Sequence, residues 1–107
     1  MIKVVAVLYR RADMSREEFV RYWREVHAPL AEGMEGVRRY VINLTLEAFA
    51  MGEPSFDGVA ELWFDDAAAA RSAFASPVGI ATTQDVAKFA QSEKTQIVIA
   101  EEIAIVP

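Results

Sequence analysis

The chain of 107 residues has no cysteine, one histidine, four prolines and five glycines. Without cysteine there is no disulfide framework, thiolate nucleophile, iron–sulfur ligation or cysteine-bound zinc. With His27 as the sole imidazole, paired-histidine metal motifs are excluded, so no metal site and no cofactor are expected. No apolar run approaches the roughly 20 residues needed to cross a bilayer. The opening Ile-Lys-Val-Val-Ala-Val-Leu-Tyr lacks the basic lead-in and cleavage site of a signal peptide. It reads as a first strand, and the expected location is cytoplasmic.

Positive charge is scarce as well. The net charge is −5, and residues 40–107 carry three bases against ten acids. The other eight bases, in residues 1–39, interleave with acids, as in the i,i+4 series Glu17, Arg21, Glu25 of a solvated helix face. Such a surface repels phosphate backbones, so neither nucleic acid nor membrane is an expected partner.

Apolar residues, in contrast, are abundant. They make up 53% of the chain, 18 of them alanine, against a usual value of about 45–50%. One domain spanning residues 1–107 has a radius of only about 13 Å, with little room to wrap a substrate cavity alone. There is more apolar surface than one small core requires.

Residues 2–9 form a strand that is apolar on both alternating sets, Ile2, Val4, Ala6, Leu8 and Val5, Val7, Tyr9. Ser15 and Glu18 form a capping box, opening a helix with the stripe Phe19, Tyr22, Trp23 and Val26. His27 lies about 40° round the helix from Trp23, and Pro29 is expected to stop the helix soon after. Gly33 and Gly36 mark a turn, followed by a strand over 38–46, a loop through Gly52 and Pro54, and a strand over 56–64. Asp65 or Asp66 caps an Ala-rich helix running to about Phe74, Ser76-Pro77 starts another, and the last strand covers 95–105. The order β-α-β-β-α-β is that of an α+β, ferredoxin-like fold: a four-stranded antiparallel sheet with both helices on one face.

In two layers the uncovered sheet face should read polar, yet these strands are apolar on both sides. A bare face of that kind exceeds what soluble monomers usually expose, which points to a homodimer packed through its sheet faces. Two polar residues then stand out within the strands. Asn43 shares a face with Val41 and Thr45, and Glu61 shares one with Val59 and Trp63. Each either makes a structural hydrogen bond or ion pair, with Arg38 or Arg39 for Glu61, or lines a small-molecule pocket between helix and sheet.

Of the remaining acids, Asp65-Asp66 read as caps and Glu101-Glu102 as protection of a strand end. Ser76 lacks a nucleophile elbow, and Gly33-Met-Glu-Gly36 lacks phosphate-loop spacing. His27 is the group able to take and give protons near neutrality. At a helix C-terminus and beside Glu61 its pKa would be raised. The competing reading is a histidine that caps its own helix and packs on Trp23.

Ser15-Arg-Glu-Glu-Phe19 and Tyr22-Trp-Arg-Glu-Val-His-Ala-Pro-Leu30 resemble the signature of the EthD-domain family. Gly36-Val-Arg-Arg-Tyr-Val-Ile-Asn43 and Phe56-Asp-Gly-Val-Ala-Glu-Leu-Trp-Phe64 are similar to its second and third strands. The resemblance covers about residues 1–80. It implies the dimeric α/β-barrel superfamily, whose members include cofactor-free monooxygenases, muconolactone-type isomerases, polyketide cyclases and haem-handling enzymes. The EthD family itself is associated with fuel-ether degradation beside an oxidising system. The resemblance makes His27 the catalytic residue and places Trp23, Tyr40, Asn43, Glu61 and Trp63 near the substrate. Relatives often carry a second histidine after the strand-two asparagine, where this chain has Leu44.

The expected function is cofactor-independent acid–base chemistry on a hydrophobic carbonyl or lactone compound, of isomerase, cyclase, dehydratase or monooxygenase type. The alternative is a non-catalytic dimer that binds a hydrophobic ligand or assists an oxidising system. A third reading makes His27 an axial haem ligand.

Overall fold

From Val4 on, every second residue of β1 (Ile2–Leu8) is buried, with Val4, Ala6 and Leu8 under the helices and Lys3, Val5 and Val7 on the opposite face. The structure, a computed structural model, describes residues 1–50, 52 and 56–107. β1 pairs with β3 (Gly58–Phe64) and β4 (Gln96–Glu101), and β3 pairs with β2 (Arg39–Leu44). All pairs are antiparallel and the order is β2-β3-β1-β4, the ferredoxin-like arrangement. The strands are shorter than their apolar runs: β2 ends at Leu44, β3 starts at Gly58 and β4 ends at Glu101. The Pro54 part of the expected loop lies outside the described residues.

The helical layer holds α1 (Arg16–Tyr22), α2 (Ala28–Glu32), α3 (Ala67–Ala75) and α4 (Pro77–Asp85). Local chemistry sets their starts. The Ser15 hydroxyl accepts from the Glu18 amide at 3.1 Å while the Glu18 carboxylate accepts from the Ser15 amide at 2.9 Å. Asp66 caps α3 through the Ala69 amide, and Ser76 caps α4 ahead of Pro77. Asp65 binds Arg38 instead.

Pro29 does not end the first helix. A π turn (Trp23–His27) joins α1 to α2, and the helix runs on to Glu32. Its wider coil relieves the clash between a proline ring and the preceding turn. It also corrects the register. Each four-residue step of an α-helix drifts by about 40°, and the π turn cancels that drift, keeping Phe19, Trp23 and His27 buried in one line. Val26, expected in the stripe, is 48% exposed.

Phe19, Trp23, Phe64 and Phe89 form the fully buried centre between sheet and helices. Gly58 is what lets Trp23 lie flat on β3, because a methyl group there would collide with the indole ring. The molecule measures 35 × 35 × 22 Å, and among the described residues no third layer covers the far side of the sheet.

Candidate functional site

His27 projects from the π turn into the core and is 6% exposed. Its Nδ1 lies 2.9 Å from Asp85 Oδ2, and its ring packs on Phe89 at 4.7 Å between centroids. The other carboxylate oxygen, Oδ1, accepts a hydrogen bond from the Tyr22 hydroxyl at 2.8 Å. Lys88 stands 3.8 Å from that oxygen at the surface. Asp85 closes α4, so the helix that packs beside the π turn supplies the acid. An ionised carboxylate only accepts, so Nδ1 carries the proton and Nε2 keeps its lone pair. The hydrogen bond that His27 makes among the described residues is through Nδ1.

The titration of His27 differs from expectation in both direction and cause. The ring is inside the helix rather than at its C-terminus, and its acid is Asp85 rather than Glu61. Burial pushes its pKa below the ordinary histidine value, outweighing the hydrogen bond and charge of Asp85 that raise it. At neutral pH it is an uncharged base held in one tautomer. Burial and Asp85 together push Tyr22 up to about 12, so it remains a donor.

Beside His27 lies a cavity of about 30 Å³, walled by Trp23, His27, Tyr40, Ala60, Thr82 and Ile97 among others. The Trp23 indole N–H donates to the Tyr40 hydroxyl at 3.2 Å, fixing that oxygen and leaving the hydroxyl's own proton to donate. Burial raises the Tyr40 pKa, which keeps that proton in place. The volume suits one or two waters, so a haem does not fit beside His27 and a larger guest must move side chains. Among the described residues, no three His, Asp or Glu side chains converge on a metal position.

The structure thus brings His27, Trp23 and Tyr40 together and leaves three expected partners elsewhere. Strand register puts Asn43, Glu61 and Trp63 on the uncovered face, with the sheet between them and His27. There Glu61 accepts from Lys3 at 2.7 Å and from Asn43 at 3.0 Å, which holds its pKa below the usual carboxylate value. Trp63 donates to Glu102 at 3.3 Å beneath Lys3 and Arg39. The expected pairing of Glu61 with Arg38 or Arg39 is made by Lys3 instead, the residue directly across from Trp63.

Comparison with known proteins agrees with this architecture. The EthD domain family model matches residues 11–93. The chain belongs to the EthD domain family. This EthD domain is 30% identical to an uncharacterised 11.0 kDa protein of the thcB–thcC intergenic region of Rhodococcus erythropolis, over 98% of the chain and 99% of that protein. An ethyl tert-butyl ether D (EthD) family protein from Bacillus halodurans superposes with TM-score 0.81 at 28% identity, covering 96% of this chain and 99% of that one. The fold is shared at low identity with SnoaB, a cofactor-independent oxygenase from Streptomyces nogalater (TM-score 0.67, 14% identity, 99% and 96% covered). It is also shared with a dimeric ferredoxin-like protein of unknown function from Bacteroides fragilis (TM-score 0.69, 13% identity, 94% and 95% covered).

Asp85 and Tyr22 were outside the expected site. The readable signal was an acid on an apolar helix face: Thr82, Asp85, Val86 and Phe89 are all buried at helical spacing.

Proposed function

We propose that this EthD domain is a cofactor-independent acid–base enzyme acting on a hydrophobic carbonyl compound, with His27 as the base. The observation that carries this reading is the chain Tyr22–Asp85–His27, which engages Nδ1 of an uncharged imidazole whose ring lines a largely apolar cavity. Nε2 takes a proton from a carbon next to the carbonyl, and the C–H pair of electrons moves onto the carbonyl oxygen as an enolate. The Tyr40 hydroxyl, set by Trp23, donates to that oxygen. Return of the proton to another carbon isomerises the substrate, and attack of the enolate carbon on a second carbonyl cyclises it, the proton on Nε2 passing to the new alkoxide. An enolate is also electron-rich enough to be oxidised by dioxygen: the carbon takes O2, the peroxide takes the imidazolium proton, and loss of water with the second α-hydrogen leaves a new carbonyl, the monooxygenase-type outcome. The Asp85 carboxylate offsets the charge on the imidazolium formed midway.

The test is exchange of the α-hydrogens of 2-tetralone in D2O, followed by NMR. The protein should accelerate it, and His27→Ala should remove about 10²–10⁴-fold of the catalysed rate. Tyr40→Phe and Asp85→Asn should each lower it while the fold persists. Equal exchange with and without His27 would overturn the reading. It would favour instead the ligand-binding or accessory role.

We further infer a homodimer through the uncovered sheet faces. Val5, Val7, Val41 and Val59 are only partly buried there, and Val98 is 49% exposed. The dimeric Bacteroides fragilis protein of the same fold supports this reading.

A further inference from the structure

A surface groove of about 380 Å³ runs between α3 and β4, bounded by Val4, Ala70, Arg71, Phe74, Ile97 and Ile99 among others. Phe74 and Ile97 are also walls of the His27 cavity, so two side chains separate the groove from the base. Cavity and groove together have the volume of a small-molecule site. Arg71 is the one charged residue lining the groove, and it makes no ion pair among the described residues. It stands three residues before Phe74, the spacing that puts two side chains on one helix face.

The geometry points to this groove as the substrate's entrance. We propose that Phe74 is its gate and that Arg71 anchors an anionic group, so the substrate is a flat apolar carbonyl compound bearing a carboxylate or similarly charged oxygen at one end. The proposal rests on the acid–base reading for its inner terminus. A guanidinium matches a carboxylate with two parallel hydrogen bonds, and the walls beyond it hold no second cation to pair with another anionic group. Phe74 is half-buried, one residue before the helix end at Ala75, and it is the side chain that would turn outward. The backbone around it is less free: a methyl group at Gly79 would strike the Ala73 carbonyl, so the α3–α4 corner is closely packed.

His27, as the chain's only histidine, gives a single set of imidazole NMR signals. The full chain should be titrated with 2-naphthoate and separately with the neutral 2-acetylnaphthalene. Both probes should move the His27 signals. Arg71→Gln should weaken 2-naphthoate about tenfold while changing 2-acetylnaphthalene by no more than about twofold. Phe74→Ala should tighten or speed binding of both probes, and Phe74→Trp should keep them from His27 while Ile99 methyl signals still respond. Two results overturn the proposal: His27 signals that stay fixed in the native chain and in Phe74→Ala, or an equal loss of both probes in Arg71→Gln. These titrations read binding, so they stand even if His27→Ala leaves turnover unchanged. A failed entrance, in turn, leaves the exchange assay intact.

Discussion

At His27 two influences oppose each other: burial favours the neutral ring, and the Asp85 carboxylate favours the charged one. Burial prevails, so the folded pKa lies below the unfolded value of about 6.5. Above that pH the ring is neutral in both states and contributes no pH dependence. As pH falls below about 6.5 the unfolded chain takes the proton first, and stability declines until the folded pKa is reached. Urea midpoints should therefore fall between about pH 6.5 and pH 5, above the range where carboxylates titrate, and His27→Gln should lack that slope. A slope unchanged in the variant would mean that another group is responsible. Sequence reading found the histidine because only one exists, but not its acid, which lies 58 positions away on another helix. Only packing brings such a pair together.

Among the elements, the first helix and β3 act as one device. The π turn aims Trp23 and His27 at the sheet, and Gly58 leaves the sheet flat enough to receive the indole. Gly58→Ala should cost about 1–3 kcal/mol by overpacking, with a shift in Trp23 fluorescence that marks the displaced ring. Stability and emission both matching the native chain would show that the contact is relaxed elsewhere. The capping residues Ser15, Asp66 and Ser76 were legible because a cap is a local event. The π turn was not, since a 3.6-residue period assigns Val26 to the buried stripe. Strand alternation placed Asn43 and Glu61 correctly on sets of their own. It could not say which set the helices cover, and that decided whether they reach His27.

For the whole molecule the deciding feature is the uncovered face of the sheet. The apolar surplus of the composition lies partly there and partly on β4, where Ile97, Val98 and Ile99 are 38–49% exposed. Val41→Asp, at the middle of β2, should convert the dimer to monomer in sedimentation experiments, at little cost to the fold, because Val41 is not in the core. A native chain that sediments as a monomer at high concentration would refute the dimer.

Around Trp63 on that face stand four charged residues, Lys3, Arg39, Glu61 and Glu102, two of each sign. A copy of the chain laid on this patch meets no net charge, although each chain carries −5. Association then owes little to long-range attraction, which dissolved ions screen, and much to the valines around it, whose burial strengthens on warming from the cold. A dimer of this kind should hold at least as well in brine as in dilute buffer, where the two chains' like charges repel unscreened, and should loosen when chilled.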